Sequence, residues 1–428
     1  MAMAISASLS ENYAGVFAAT VSSSSSHSSS NSSSSSSSSS SLSSSAAVSS
    51  VSSSHSVALP SSTRASGGGG GGGELTGRST TALIKRLSSP AEHVALLFKA
   101  LEMAQKTLLI TSYDVSHDAL LSMNFYAQLR RALSRGVKVY IYYNDGKGAD
   151  KEALKTLRKM DNVLCDEAFT HSKFLCVDSR WVSIGSYNWL SFHSEARTDE
   201  RTEGTIVCYQ RDLNKELIED IWNHLRFYRN LQFDNRRALR HFDFDEKNHS
   251  TVSYDLTTRS ELEYIPTLEQ HCAFFQEILM KTKRKLVICS PFLSMQQCLE
   301  DIRRKDLYRL SQRGVKVYFV TSSQSRDYQA LEEYLHKIHS ENIYLIDHIN
   351  FHLKTLIIDD EVIAEGSFNW LSATRNEESD FHNHEATLIV RGEAAIEPIA
   401  NFYQSEIGQK TINIAEQKVS SRIPSIKS

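Results

Sequence analysis

Two short stretches of this chain carry the same reactive side chains in the same order. The first runs from His171 to Asn188, and the second runs from His352 to Asn369. Both fit the template HxKxxxxD, followed by six residues and then GSxN, and a constant 181 residues (352 − 171) separates them. A template with six fixed positions that occurs twice in one register indicates paired functional segments and not chance.

The residue types in the first copy suit chemistry at a phosphate group. Lys173 follows His171 by two residues, at the start of an apolar run that predicts a buried strand. Residues i and i+2 of a strand project from one face, so imidazole and ammonium should share one space. Imidazole can attack or protonate near neutral pH, and an ammonium group neutralises phosphate oxygens. Asp178 lies at odd spacing, and we expect it to support the site without touching substrate.

The turn after this strand contributes backbone and polar groups. Gly185 allows a close backbone approach, and Ser186 and Asn188 offer polar donors. Displacement at a phosphodiester needs a nucleophile on one side and a proton donor for the leaving oxygen on the other. Two copies that face each other across a pseudo-two-fold axis would supply both. The second copy repeats each role with His352, Lys354, Asp359, Gly366, Ser367 and Asn369.

The doubled motif resembles the signature of the phospholipase D superfamily, over about residues 90 to 408. The resemblance implies an α/β fold of two tandem, pseudo-two-fold-related modules with one active site at their interface. It also implies a covalent phosphohistidine intermediate and no metal or other cofactor. His171 would attack phosphorus and His352 would protonate the leaving alcohol, although the symmetry of the sequence allows the two roles to be exchanged. The phosphate oxygens would be held by Lys173, Asn188, Lys354 and Asn369.

An acidic residue precedes the strand that follows each motif. These residues are Glu203 and Glu385, 182 positions apart (385 − 203). In the resembled family an acidic residue here hydrogen-bonds the catalytic imidazole and fixes its tautomer, as orienting carboxylates do in other histidine sites. A solvated loop glutamate is the alternative. His382 and His384 form an HxH pair without a third ligand at suitable spacing, so we predict no metal site.

Both halves of the chain also begin in the same way. The segments SPAE at 89–92 and TLEQ at 267–270 each have the pattern of a helix capping box. The runs TLLITS at 107–112 and KLVICS at 285–290 each predict a strand, and a helix is expected near 118–135. Each half is therefore an alternating α/β unit.

The repeat sets the predicted domain boundaries. A Ser/Gly-rich stretch cannot bury enough apolar surface to fold, and it should stay disordered. The predicted order is a disordered segment at 1–80, a first module at 81–231, a linker at 232–262, a second module at 263–408 and a polar C-terminal tail at 409–428.

Composition limits the class of protein. The net charge is −3, so the chain lacks the strongly basic character of a dedicated nucleic-acid binder, although a local basic groove stays open. Six cysteines without CxxC or metal spacing favour buried free thiols in a reducing compartment. No run approaches the roughly 20 apolar residues of a membrane span. We expect a cytoplasmic monomer that could touch a membrane peripherally, and the N-terminal segment could instead serve export or delivery to a host.

Two substrate classes fit the motifs. Phospholipid head-group hydrolysis or transphosphatidylation is slightly preferred, and a metal-independent nuclease is supported by a basic, aromatic-bearing segment at 226–242 and a basic run at 281–285. A non-catalytic phosphate-binding module is a third reading, which the intact motif residues of both copies disfavour. The lipid reading rests on the charge balance and on apolar residues after Ser112 and Ser290, namely Leu120, Leu121, Met123, Phe125, Phe292, Leu293 and Met295.

Overall fold

The computed structural model describes part of the chain. The described ranges are 84–144, 149–178, 180–191, 201–209, 217–225, 261–376 and 383–420. All of them belong to one compact unit, Thr76–Ser428. The predicted disordered segment, most of the predicted linker, the basic segment at 226–242 and His382 lie outside these ranges. Below, the first half means described residues up to 225, and the second half means those from 261.

The first half forms a mixed seven-stranded sheet. Its strands are Ile84–Leu87 (β1), Thr107–Ser112 (β2), Lys138–Tyr143 (β3), Val163–Glu167 (β4), Phe174–Val177 (β5), Trp181–Gly185 (β6) and Thr205–Cys208 (β7). The spatial order is β1-β7-β6-β5-β2-β3-β4. Strands β2, β3 and β4 pair in parallel, and the remaining pairs are antiparallel.

The second half repeats this sheet. Its strands are Leu262–Ile265 (β8), Lys285–Cys289 (β9), Lys316–Thr321 (β10), Ile343–Asp347 (β11), Thr355–Ile358 (β12), Val362–Gly366 (β13) and Thr387–Arg391 (β14). The order β11-β10-β9-β12-β13-β14-β8 is that of the first sheet with each strand replaced by its equivalent. The predicted fold class, α/β with two similar modules, is confirmed.

Helices connect the strands, and several differ from expectation. The helix expected near 118–135 is interrupted at Asn124, which has φ 58°. Part of the predicted polar tail, residues 409–420, is helical. The helices of the first half are Pro90–Met103, His117–Ser122, Phe125–Ser134, Lys151–Arg158 and residues 217–225. Those of the second half are Leu268–Lys281, Met295–Asp301, Arg304–Gln312, Tyr328–His336, Ile396–Gln404 and Glu406–Ser420.

The two sheets share a core. Strands β6 and β7 of the first sheet contact β13 and β14 of the second. One apolar cluster accordingly contains residues from both halves, such as Phe174 and Ile184 with Ala386 and Leu388. Both predicted capping boxes are present, at Ser89 and at Thr267. All six cysteines are free. In the described ranges, no helix has the length and apolar character needed to cross a membrane.

Candidate active site

Each motif lysine is buried and donates to the backbone of its motif histidine. Lys173 and Lys354 directly precede the buried strands β5 and β12, and both lysines are fully buried. The Lys354 ammonium donates to the backbone carbonyl of His352 at 2.8 Å. Lys173 makes the same contact with the carbonyl of His171. Each ammonium group is therefore held within the space that its own histidine borders.

The histidine backbone of each motif is anchored by the opposite half of the molecule. The His171 amide donates to the carbonyl of His384 at 2.9 Å, and the His352 amide donates to the carbonyl of Thr202 at 2.8 Å. Thr170 and Phe351, which precede the two histidines, form parallel bridges with His384 and Thr202. Short backbone segments of the two halves thus pair with each other next to both motif histidines.

The predicted acidic residues reach the imidazoles across this interface. Glu385 of the second half lies 2.9 and 3.1 Å from Nδ1 of His171. Glu203 of the first half lies 3.0 and 3.1 Å from Nδ1 of His352. Each carboxylate therefore holds the histidine of the other motif. This crossing depends on how the halves associate, so the order of residues along the chain could not reveal it.

The motif serines orient these carboxylates. Ser186 donates to Glu203, and Ser367 donates to Glu385 at 2.5 Å. Each serine oxygen in turn accepts an amide at 3.0 Å, from Gly204 or from Ala386. A serine of one half therefore fixes the carboxylate of its own half, and that carboxylate fixes the imidazole of the other half.

The motif glycines are required by close packing. A Cβ atom on Gly185 would collide with the carbonyl oxygen of Gly204 and the side chain of Thr205. Its equivalent Gly366 faces the same two groups at Ala386 and Thr387. Because the obstruction in each case includes backbone, a larger residue would displace the segment that carries the orienting glutamate.

The motif asparagines lie at the half-exposed edge of the site. Asn188 Oδ1 accepts the backbone amide of Tyr113 at 3.2 Å. Within the described residues, the buried Oδ1 of Asn369 has no hydrogen-bond partner. The Tyr113 ring stands edge-on to His171 with centroids 5.0 Å apart, and Phe292 stands edge-on to His352 at 6.1 Å.

Comparison with known proteins identifies the family. The family model described as the phospholipase D-like domain of cardiolipin synthase matches residues 97–225 and 275–407. The chain belongs to the phospholipase D superfamily. Members of this superfamily act on phosphodiesters. The doubled match follows the internal duplication, because one segment falls in each half of this phospholipase D-like protein.

Solved structures resemble this phospholipase D-like protein at low sequence identity. The crystal structure of phosphatidylserine synthase from Haemophilus influenzae Rd KW20 matches with a TM-score of 0.55 and 16% identity, over 76% of this chain and 86% of that one. Nuc from Salmonella typhimurium, a phospholipase D family member, matches with a TM-score of 0.28 and 20% identity, over 34% of this chain and 95% of that one. A comparison with curated protein sequences gave no significant match.

The motif aspartates of this phospholipase D-like chain lie at the end of the motif strand away from the imidazole. Asp178 accepts three successive backbone amides, from residues 105 to 107, at 2.7 to 2.8 Å. Asp359 accepts the equivalent amides of residues 283 to 285, with distances from 2.6 to 3.2 Å. Both aspartates have positive φ, 51° and 55°. Their carboxylates fix the start of strands β2 and β9.

Two buried histidines outside the motifs were missed by sequence reasoning. His93 and His271 are the fourth residues of the helices Pro90–Met103 and Leu268–Lys281, 178 positions apart (271 − 93). Their rings stack at 4.4 Å on Tyr187 and Phe368, the residues that follow the motif serines. The presence of a histidine at equivalent positions of the two repeats was the sequence signal that could have revealed them.

Hydrogen bonds fix the tautomer of both buried histidines. Nδ1–H of His93 donates to a helix-start carbonyl at 2.7 Å, and its Nε2 accepts from Thr205 Oγ1 at 2.9 Å. His271 makes the same two bonds, at 2.6 Å and, with Thr387, at 2.9 Å. Burial lowers the pKa of both imidazoles to about 4, so they are neutral at pH 7. They support the threonines that face the motif glycines.

The site disfavours positive charge when it contains no anion. Burial lowers the pKa of Lys173 to about 8 and lowers the pKa of Lys354 well below its ordinary value. Burial also lowers the pKa of His171, and it lowers that of His352 well below the ordinary value, with Lys354 adding to the effect. A bound anion would offset this cost, so the site is built to receive negative charge.

The two imidazole–carboxylate pairs differ in the direction in which the pKa of the carboxyl is shifted. Burial opposes ionisation of Glu385, but His171 and its other neighbours lower the pKa of that carboxyl below its ordinary value. Burial instead raises the pKa of Glu203, the partner of His352. Pairs that look alike in the motifs are thus electrostatically unequal. Among the described residues, no group of three His, Cys, Asp or Glu side chains is arranged to hold a metal ion.

Two sequence arguments about substrate change with the structure. Most of the apolar residues that supported a lipid belong to the core, including Leu120 and Phe125, which are fully buried. Leu121 and Phe292 of that set are exposed, at 55% and 42%. The basic run at 281–285, which supported a nuclease, is largely neutralised by ion pairs. These pairs are Lys281 with Glu277, Arg284 with Glu361, and Lys285 with Asp360.

Proposed function

We propose that this chain hydrolyses or transfers a phosphodiester through a phosphohistidine intermediate, with phospholipids as the preferred substrates. One observation carries the proposal. Two imidazoles, each bound through Nδ1 to a largely buried carboxylate of the opposite half, lie close enough to each other and to two buried lysines for their charges to interact. An Nδ1–H bond to carboxylate leaves Nε2 free to attack phosphorus or to carry a proton.

In the first step, Nε2 of His171 attacks phosphorus. The N–P bond forms as the P–O bond to the leaving alcohol breaks, and Nε2–H of His352 delivers a proton to that oxygen. Glu385 stabilises the positive charge that develops on His171. The negative charge of the bound diester raises the low pKa of His352, which lets that imidazole hold the proton it donates.

The second step reverses the first with a new acceptor. Neutral His352 removes a proton from water, or from an alcohol in the transfer reaction, and the acceptor oxygen attacks phosphorus. The N–P bond breaks, which restores the free His171 imidazole. Lys173 and Lys354 stabilise the phosphate oxygens in both steps, since fixed charges in a water-poor site act more strongly than in solution.

The preference for lipid follows from the surroundings of the site. Phe292, which stands over His352, offers an exposed apolar surface beside the proposed proton donor. The family model is described as the phospholipase D-like domain of cardiolipin synthase, an enzyme named for a phospholipid product. The nuclease reading loses support where the basic run at 281–285 is ion-paired.

Parallel assays on one preparation test the proposal. Wild type, His171→Asn and the control His336→Asn, which alters an exposed helix residue, would be compared. One arm follows head-group release from mixed liposomes, and the other follows degradation of single- and double-stranded nucleic acid. We expect head-group release to fall by about 10³-fold in H171N and to persist in H336N and in EDTA. Activity on nucleic acid alone, lost in H171N, would replace the lipid assignment with the nuclease.

A further inference from the structure

The pseudo-symmetry of the molecule is broken next to the site. In the first half, Phe174 of β5 pairs with Ile184 of β6, and both belong to the shared apolar core. The equivalent pair in the second half, 181 positions later (355 − 174), is Thr355 with Glu365. One side of the interface is therefore apolar where the other side carries a buried carboxylate.

The buried carboxylate is paired with an arginine from the other half. Nε of Arg86, on β1, lies 3.0 Å from Glu365 Oε2, and both side chains are fully buried. Thr355 donates to the same carboxylate at 2.9 to 3.0 Å. Arg86 also donates to Asn401 Oδ1 at 3.1 Å and lies 5.5 Å from the centre of the Phe402 ring.

The residue equivalent to Arg86 in the second half is a tyrosine. Leu87 of β1 pairs with Thr205, and Ile265 of β8 pairs with Thr387, so the residues before them, Arg86 and Tyr264, are equivalent. The Tyr264 ring approaches Phe174 across the interface, with centroids 6.3 Å apart. The same strand position thus makes an aromatic contact on one side and an ion pair on the other.

The ion pair packs directly against the segment that carries an orienting glutamate. A Cβ atom added to Gly204 would lie 2.5 Å from the carboxyl carbon and both oxygens of Glu365. Gly204 follows Glu203, the partner of His352, and its amide donates to Ser186. The equivalent residue in the second half, 182 positions later (386 − 204), is alanine.

We propose that Arg86, acting through Glu365, is a positioning residue for His352. The ion pair fills the space beneath Gly204 and thereby fixes the Glu203 carboxylate that holds this imidazole. On the other side, the equivalent pair is Phe174 with Ile184, whose side chains carry no charge. Arg86 should therefore affect the role of His352 and not that of His171, a conclusion that rests on the proposed function.

Electrostatics gives the proposal a measurable sign. Burial raises the pKa of Glu365, and Arg86 acts against that rise. Without Arg86, burial would drive Glu365 to take up a proton, and the ion pair that packs against the Glu203–Gly204 segment would be lost. A displaced Glu203 would stabilise the His352 imidazolium less, so the pKa of His352 should decrease. The other charged or titratable groups near the Glu203–His352 pair, among the described residues, include Lys173, Lys354, His171, Arg201, His93 and Tyr187.

Histidine NMR measures this effect without using the enzymatic activity. In full-length protein with ¹³C-labelled histidine, the His352 signal would be assigned by its loss in H352N. We expect Arg86→Met to lower the His352 pKa by about one unit or more and the double variant R86M/E365Q, which keeps a neutral amide of the same size beside Gly204, to restore part of it. Tyr264→Met, the same replacement at the equivalent position, should leave the His352 pKa unchanged.

Kinetics supplies the second readout. We expect R86M to lower kcat by up to about 10²-fold with little change in KM, because misplacement of a reacting group acts on the chemical step. Arg86→Lys and R86M/E365Q should recover part of that loss.

An unchanged His352 pKa in folded R86M, or one that moves equally in Y264M, would overturn the positioning role. If R86M does not fold, the folded R86K and R86M/E365Q proteins decide, because both should keep part of the kcat loss, and the proposal fails if both have the kcat of Y264M. Failure of the proposed function would show separately, as activity retained in H171N.

Discussion

At the scale of single residues, the site is defined by where each carboxylate comes from. Glu385 and Glu203 bind the imidazoles of the opposite motifs, and each is itself bound by the serine of its own motif. The serine of the GSxN turn therefore acts on a carboxylate, although its type and position also suit direct contact with a phosphate. The chemistry of one motif depends on the integrity of the other.

The crossed contacts predict separable effects of the two glutamates. In Glu385→Gln the His171 ring loses its anionic partner, so formation of the phosphohistidine should slow by about 10²-fold. In Glu203→Gln the partner of His352 is altered. Because this imidazole is proposed to transfer a proton in both steps, formation of the adduct and its release to water should both slow by a similar factor. Rapid-quench mass spectrometry of the adduct on His171 would measure both steps.

The control for these variants is Glu361→Gln, an exposed glutamate that pairs with Arg284. It should leave both steps unchanged. If the adduct formed on His352, the roles of the two histidines would be reversed, and equal effects of both variants on formation alone would contradict the division of labour.

At the scale of elements, the helix that opens each half supports the motif turn through a buried histidine. His93 and His271 connect the first turn of their helices to Thr205 and Thr387, beside the motif glycines. The position of Gly185 thus depends on a helix about 90 residues earlier in the chain (185 − 93 = 92). Both contacts require neutral imidazole.

This arrangement predicts a loss of stability in mild acid. The pKa of each histidine is about 4 in the folded protein and 6.5 in the unfolded chain, so between these pH values the imidazoles bind protons mainly in the unfolded state. The free energy of unfolding should fall between about pH 6.5 and pH 4, by at most about 3 kcal/mol for each histidine. Denaturant unfolding at a series of pH values would measure the decrease.

Comparison with variants isolates this contribution from that of other titrating groups. His93→Gln and His271→Gln should be less stable at pH 7 and less sensitive to pH between 6.5 and 4. The exposed His336→Gln serves as the control. The assignment would be wrong if the buried-site variants kept the full pH dependence of the wild type.

The sequence could predict the elements wherever a repeat or a local pattern encodes them. The capping boxes at Ser89 and Thr267 and the strands around both motifs follow from local patterns and are present. The break at Asn124 was missed because periodicity continues across a single left-handed residue. The partners of Arg86 were also out of reach, because long-range pairing across the interface leaves no periodic signal.

At the scale of the whole molecule, the two sides of the interface between the halves carry different residues and fit each other better than they fit themselves. Each half supplies to the other a carboxylate for its histidine, so two identical halves could in principle build a similar site. The buried Arg86 opposes this, because a second copy of the first half would present Phe174 and Ile184 in place of Thr355 and Glu365. An arginine buried without a counter-ion is strongly destabilising. The duplicated halves should therefore prefer each other to copies of themselves.

Division of the chain into two polypeptides tests this preference. We expect fragments 81–231 and 232–428 to be inactive alone. The activity of each should be at least about 10³-fold lower than that of the whole chain, as expected when acid–base catalysis is lost, and it should return when the fragments are co-expressed. Size-exclusion chromatography should show one complex with a copy of each fragment, and His171→Asn in the first fragment should abolish the recovered activity. Arg86→Tyr in that fragment, which copies the second half at this position, should weaken the mixed complex and favour self-association. A stable, active dimer of either unmodified fragment would show that the Arg86–Glu365 pair does not select between partners.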